Sequence, residues 1–185
     1  MRIVKLTQKE RENILENLLK RSPNQYSKFE TTVRDILDKV KAEGDQALFA
    51  YTEQFDGVKI TEETFRVTEE EIAEAYEKVD SHLIEIIRKA LVNIRDYHQK
   101  QVRYSWFDSK PDGTLLGQKV TALERVGVYV PGGKAVYPSS VLMNIVPAKI
   151  AGVAHVVMCT PCNKEGKVNP AVLVAAKEAG ADEVY

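Results

Sequence analysis

The amino-acid sequence predicts an α/β protein that has a helical N-terminal region, a β-hairpin and a parallel sheet. Apolar residues recur at helical spacing through most of residues 7–101. After Leu123, short β-branched runs alternate with helical segments, which is typical of parallel strands joined by helical crossovers. We therefore predict a helical region with a hairpin over residues 1–122. Residues 123–185 are predicted to form the first β-α-β-α-β of an incomplete Rossmann-like sheet.

The composition is that of an ordinary globular protein, with 44% hydrophobic and 29% charged residues in a chain of 185. The formal net charge of -1 offers no electrostatic attraction to nucleic acid or to a membrane surface. No apolar run approaches the roughly 18 residues that a spanning helix needs. The charged N-terminus also lacks the apolar stretch of a secretory signal peptide. We therefore expect a cytoplasmic protein.

Capping boxes predict where the N-terminal helices begin. The S/T-x-x-E pattern occurs at Thr7–Glu10, Ser27–Glu30 and Thr68–Glu71, each ahead of apolar residues at helical spacing. Asp45 is expected to cap a further helix, and Ser81 begins a long amphipathic one. The predicted helices occupy residues 7–21, 27–43, 45–56, 68–79 and 81–101.

A hairpin is predicted after the long helix. Tyr104 and Trp106 alternate with other residues as in a strand, Lys110–Thr114 is typical of a turn, and residues 115–123 can return as a second strand. The two aromatic side chains could stack on a nucleobase. Lone aromatics on a hairpin more often pack on a neighbouring helix or a partner subunit, and we expect packing here.

A ligand site is expected within Val126–Gly152. Val126–Val130 is short and β-branched, as in a strand that is covered on both faces. Pro131–Gly133 ends this strand, and its glycines can adopt positive φ values. Ser139–Ser140 is expected to supply N-cap hydroxyls for the next helix. A glycine turn and a helix N-terminus after a parallel strand form the crevice in which open α/β sheets bind ligands.

Two more strands and a helix complete the predicted sheet. His155–Cys159 is an apolar strand, and Asp182–Tyr185 opens a third one. Asn169 and Pro170 predict a capped helix start, and Gly180 predicts the helix end. Because a parallel sheet needs neighbours and cover on both sides, we expect the chain to be the N-terminal piece of a longer protein.

The cysteines and histidines are weaker candidates. Cys159 and Cys162 form a C-x-x-C, which could be a redox pair or half of a zinc site. We favour a structural role, because no helix starts directly at Cys162 and no second Cys/His pair completes a zinc site. The histidines stand in no metal-ligand spacing, and we expect structural roles for them; they are His82, His98 and His155.

Two blocks, ERVGVYVPGG at Glu124–Gly133 and YPSSVLMNIVPAKIAGV at Tyr137–Val153, resemble histidinol dehydrogenase. The resemblance also includes VNPAVLVAAKEAGADEVY at Val168–Tyr185 and extends over nearly the whole chain. It implies a homodimeric enzyme of histidine biosynthesis that uses NAD and zinc to oxidise L-histidinol to L-histidine by two hydride transfers. It also implies that Tyr129 contacts NAD. Gly132 and Gly133 would line the same crevice.

The same resemblance places the zinc ligands, the Glu-His acid–base pair and most substrate contacts beyond the end of this chain. We therefore predict that the chain contains no catalytic residue and no metal ligand, and that alone it does not turn over histidinol. The G-x-G-x-x-G pattern is missing, so the usual Rossmann pyrophosphate binding is not expected. One alternative is a non-catalytic, truncated or dimerisation module that retains the fold element. Another is a small thiol oxidoreductase that uses Cys159 and Cys162.

Overall fold

The computed structural model describes residues 7, 8, 11, 27–132 and 136–185. The chain divides into two compact units, Met1–Tyr51 and Thr52–Tyr185. The first predicted helix lies outside the described residues except at isolated positions, and Gly133 lies outside them as well. The predicted boundary at residue 122 stays a prediction.

Gly44 separates the first two helices. Helix α1 spans Ser27–Glu43, and α2 spans Asp45–Asp56. Gly44 has a φ of 59°, the left-handed conformation that glycine adopts most easily. Its carbonyl accepts from the N–H of Ala47 at 3.1 Å, which places Asp45 in the first turn of α2. The prediction that Asp45 caps this helix is therefore wrong.

Side-chain caps begin the next two helices. Helix α3 spans Glu69–Lys78, and α4 spans Ser81–Gln99. The Thr68 hydroxyl accepts from the N–H of Glu71 at 3.2 Å, and the Glu71 carboxylate accepts from the N–H of Thr68 at 3.0 Å. The predicted capping box is thus confirmed. The Asp80 carboxylate caps α4 by accepting a backbone N–H at 2.7 Å.

The predicted hairpin is confirmed, but it is exposed. Strand β1 (Trp106–Ser109) pairs antiparallel with β2 (Leu115–Gln118), and Gly113 in the turn has a φ of 84°. Every residue of both strands is exposed. Tyr104 and Trp106 are 79% and 56% exposed, so neither is packed into a core of the described chain. Their packing on a partner subunit stays a prediction.

The predicted β-α-β-α-β is also confirmed. Strands β3 (Arg125–Tyr129), β4 (His155–Cys159) and β5 (Glu183–Val184) form a parallel sheet in the order β3-β4-β5. The crossovers are α5 (Pro138–Ile150) and α6 (Pro170–Ala179). Because neighbouring parallel strands are joined by right-handed crossovers, both helices lie on the same face of the sheet.

The core lies between this face of the sheet and two layers of helices. Helix α3 packs on α6, and α4 packs on both α5 and α6. No helix in the described part of the chain is both long and apolar enough to cross a membrane. The largest fully buried side chains are those of Val130, Val141, Leu142, Ile145, Val146, Val156, Met158 and Val174.

The opposite face of the sheet is exposed along β3. Arg125, Gly127 and Tyr129 alternate along β3 and are all exposed. The prediction that this strand is covered on both faces is therefore wrong for the described chain, because both crossovers cover the other face. At the far side of the sheet, the N–H of Val67 donates to the carbonyl of Val184 at 2.9 Å, so the outer edge of β5 has one extra backbone partner.

Helix α5 begins without a side-chain cap. Tyr137 is its N-cap residue and makes no capping hydrogen bond, and Pro138 lies at the first helical position. Ser139–Ser140 thus falls within the first turn, and the prediction that these hydroxyls cap the helix is wrong. Proline presets φ for the first helical position, which starts the helix before the serines. The predicted Asn169 cap of α6 is confirmed, with its side chain accepting a backbone N–H at 2.9 Å.

Candidate functional site

The candidate site lies at the carboxyl end of β3. The sheet order β3-β4-β5 is that of the first half of a doubly wound sheet, with β3 as the first strand. In such sheets, ligands bind outside the carboxyl ends of the strands, next to the turn between the first strand and its helix. Here that turn joins Tyr129 to α5. The fold and the sequence therefore predict a ligand site at the same turn.

Tyr129 is presented to solvent from a rigid strand. Its side chain is 65% exposed, on the open face of the sheet opposite Cys159 of β4. The next residue, Val130, is completely buried, and its N–H donates to the Cys159 carbonyl at 2.9 Å. The phenol ring is thus accessible, while the backbone that carries it is fixed by the sheet.

A side chain at Gly132 would crowd the ring of Pro161. A Cβ at this position would be 3.2 Å from Cγ of Pro161, which follows β4. Gly132 is not among the glycines with positive φ, so the expectation of a left-handed conformation is wrong for it. Gly132 is itself exposed, so a ligand can approach its backbone. Gly133, the other predicted glycine, lies outside the described residues.

The two cysteines lie near the same edge of the sheet, and both are free thiols. Burial raises the pKa of both thiols, and the Asp56 carboxylate raises that of Cys162 further. A raised pKa keeps a thiol protonated, whereas redox cysteines need thiolate character. Thr160 between them donates its N–H to the carbonyl of Tyr185 at 2.9 Å, so this hydrogen bond ties the segment to the strand β5 side. These features favour the structural interpretation over a thiol oxidoreductase.

The histidines are dispersed. Nδ1 of His82 lies 3.9 Å from the carboxylate of Glu85, and the side chain of His98 contacts Gln101 at 2.6 Å. Nε2 of His155 is buried and lies 3.5 Å from the carboxylate of Glu183. Among the residues that the structure describes, no group of three His, Cys, Asp or Glu side chains comes together as a metal site requires. The described residues thus do not fit a catalytic zinc.

A cavity of about 390 Å³ lies elsewhere, beside β5 and the segment that precedes α3. Two ion pairs lie among its lining residues. Lys177 contacts Glu69 at 2.8 Å, and Arg66 contacts Glu183 at 3.1 Å. The cavity does not include the turn after Tyr129. The turn is the stronger candidate site, because it follows the carboxyl end of the first parallel strand, where open α/β sheets bind their ligands.

Sequence reasoning missed the contribution of Pro161. This residue is half-buried after the carboxyl end of β4, and its ring would be 3.2 Å from a Cβ at Gly132. Its signal in the sequence is a proline two residues after the end of a predicted strand. Prolines of that kind usually mark only the end of the strand, so the contact across the sheet could not be inferred.

Comparisons with known proteins agree on one family. The family model for histidinol dehydrogenase matches residues 19–185. Histidinol dehydrogenase of Heliobacterium mobile is 52% identical over 170 residues, which are 92% of this chain and 40% of that protein. The Bacillus subtilis (strain 168) histidinol dehydrogenase is 54% identical over 154 residues, 83% of this chain and 36% of that protein.

A solved structure agrees with these sequence relatives. The crystal structure of histidinol dehydrogenase from Elizabethkingia anophelis superposes with a TM-score of 0.79 at 33% identity, over 85% of this chain and 36% of that one. The chain therefore spans about 40% or less of the length of these relatives. Since the family model matches residues 19–185, the chain belongs to the histidinol dehydrogenase family.

Proposed function

We propose that this chain is the N-terminal part of an NAD-dependent, zinc-requiring histidinol dehydrogenase and contributes one side of its NAD site. The whole enzyme would oxidise L-histidinol to L-histidine, with two hydride transfers to NAD. The names of the relatives support the substrate. The observation that carries the NAD site is the exposed Tyr129 ring beside the Gly132 turn, at the carboxyl end of the first parallel strand.

Each part of the turn has a distinct role in this proposal. The Tyr129 ring offers a flat apolar surface against which a nucleotide ring can stack. The Gly132 backbone admits the ligand closely because no side chain stands on it. Helix α5 begins after the turn without a side-chain cap, so no capping side chain accepts from the backbone N–H groups of its first turn.

NAD titration of the chain tests this site. We expect isothermal calorimetry to detect NAD binding by the wild-type chain, and Tyr129→Ala to weaken it about tenfold, equivalent to about 1.4 kcal/mol. Tyr129→Phe retains the ring and should bind nearly as well as wild type. Tyr104→Ala, which removes a still more exposed tyrosine outside the site, is the matched control. Absence of NAD binding by the wild type, or equal binding by Tyr129→Ala, would contradict the proposal.

The oxidation itself is proposed to need the part of the enzyme that this chain does not span. Removing the hydroxyl proton requires a base, and polarising the oxygen requires a Lewis acid, which zinc supplies when bound. We propose that the zinc ligands and the acid–base pair come from that remaining part. We expect no histidinol-dependent NADH absorbance with the 185-residue chain plus zinc. Steady NADH formation under these conditions would overturn this division of roles.

A second candidate function is a non-catalytic dimerisation module. The hairpin favours it, because the apolar side chains of Phe107 and Leu115 are 62% and 64% exposed on a two-stranded sheet.

We also propose that the whole enzyme is a homodimer and works in the cytoplasm, where the free thiols of Cys159 and Cys162 would remain reduced. Sedimentation equilibrium tests the dimer. If the chain is a monomer at all concentrations and still binds NAD, the dimerisation module is ruled out and the NAD-binding part of the enzyme remains the proposed function.

A further inference from the structure

We propose that Pro161 is a positioning residue for the nucleotide-binding turn: its ring is the wall that sets where the Gly132 backbone lies. The inference rests on the proposed function, since the ligand at this turn is taken to be NAD. Pro161 belongs to the loop after β4, and Gly132 to the loop after β3. One side of the site is thus positioned by a residue of a different crossover.

The position of Pro161 is determined by the sheet. The N–H of Val130 donates to the carbonyl of Cys159 at 2.9 Å, which extends the pairing of β3 and β4 beyond Tyr129. The N–H of Thr160 donates to the carbonyl of Tyr185 at 2.9 Å on the β5 side. Pro161 follows immediately, and its own ring restricts its φ. The wall is therefore rigid.

The ring of Pro161 restricts the space beside the Gly132 backbone. A Cβ at Gly132 would lie 3.2 Å from Cγ, 3.4 Å from Cδ and 3.7 Å from the carbonyl oxygen of Pro161. Carbon atoms in favourable contact are about 3.5–4.0 Å apart, so the separation from Cγ is too short by a few tenths of an ångström, whereas the other two are close to ordinary contact distances. Gly132 is exposed, so its other side remains open to a ligand.

Substitution at either residue should displace the turn. A methyl group at Gly132 requires Gly132 and Pro161 to separate by a few tenths of an ångström. Because the sheet holds the backbone next to Pro161, we expect the turn to move. Removing Cγ and Cδ of Pro161 relieves this crowding, but it also removes the support. The two substitutions are therefore expected to be coupled and not additive.

A double-mutant cycle on NAD affinity tests the inference, using Gly132→Ala, Pro161→Ala and the double variant in the full chain. We expect Gly132→Ala to weaken NAD binding about tenfold and Pro161→Ala about threefold, whereas the double variant is weakened only about threefold and not about thirtyfold. Gly127→Ala is the matched control, because a Cβ there meets nothing within 4 Å and should change the affinity less than about twofold.

The outcomes separate this inference from the proposed function. If the wild type binds NAD and the effects of the two substitutions simply multiply, the positioning role is overturned and the NAD site stands. If the wild type binds no NAD, the proposed function is overturned and this inference with it. Thermal unfolding of each variant shows whether coupling is confined to stability, which would also contradict positioning. Should Gly132→Ala not fold, an unchanged NAD affinity in Pro161→Ala overturns the inference.

Discussion

At the scale of single residues, Glu178 joins three helices through one carboxylate. It lies on α6, accepts from the hydroxyl of Tyr76 on α3 at 2.8 Å, and accepts from the Nη2 atom of Arg88 on α4 at 2.8 Å. The hydrogen bond from Arg88 holds the pKa of Glu178 below its ordinary value. Burial and the hydrogen bond to Glu178 raise the pKa of Tyr76 to about 12. The contacts of α6 with α3 and α4 at this partly buried position thus depend on a protonated Tyr76 hydroxyl and an ionised Glu178 carboxylate.

The Tyr76 hydroxyl makes stability dependent on alkaline pH. Its pKa of about 12 in the folded chain exceeds the ordinary 10.0, so its contribution is complete below pH 10 and is lost as the pH rises through 12. Two pKa units correspond to at most about 2.7 kcal/mol, and partial exposure of the pair reduces this figure. We expect the free energy of unfolding in urea to fall more steeply between these pH values in wild type than in Tyr76→Phe. Parallel profiles would contradict this role for the hydroxyl.

Residue patterns in the sequence predict a ligand site at the end of β3 but do not explain the positions of Tyr129 and Gly132. An apolar strand followed by proline and glycine predicts where the strand ends, and β3 does end at Tyr129. The contact between Gly132 and Pro161 joins two loops that are distant along the chain. No periodicity or spacing records such a contact, because it depends on which strands become neighbours.

At the scale of elements, helix starts distinguish real caps from apparent ones. Thr68 makes both hydrogen bonds of a capping box, whereas Ser139 lies inside the first turn of α5. We expect Thr68→Ala to lower the free energy of unfolding in urea by about 1 kcal/mol. Ser139→Ala, the matched control, should change it by less than about 0.5 kcal/mol. Equal losses would mean that the serine hydroxyl contributes a cap in solution.

Most elements could be predicted from the sequence because their signals are local. Helices α3 and α4 follow apolar periodicity and begin at side-chain caps, and β4 is a continuous apolar run. The exposed face of β3 could not be predicted. A short β-branched strand has the same composition whether one or both of its faces are covered, so only the arrangement of α5 and α6 reveals the open face.

At the scale of the whole molecule, burial is unevenly distributed between the parallel sheet and the hairpin. Strand β4 is central and contributes Val156 and Met158 to the core, whereas β1 and β2 are exposed along their entire length. An isolated two-stranded hairpin is marginally stable in water. We therefore expect hydrogen-exchange mass spectrometry to show slow exchange in peptides covering β4 and rapid exchange in those covering the hairpin. Slow exchange in both would mean that another surface covers the hairpin in solution.

The two edge strands of the parallel sheet, β3 and β5, differ in their backbone hydrogen bonding. Next to β5, the N–H of Val67 already occupies the carbonyl of Val184, whereas β3 is the last strand on its side among the described residues. An incoming extended segment, whether from the same polypeptide or from a foreign one, would therefore add alongside β3. If it ran parallel to β3, its end would arrive beside the Gly132 turn. A strand added to the sheet and a ligand entering the turn would therefore use the same edge of the sheet, that of β3.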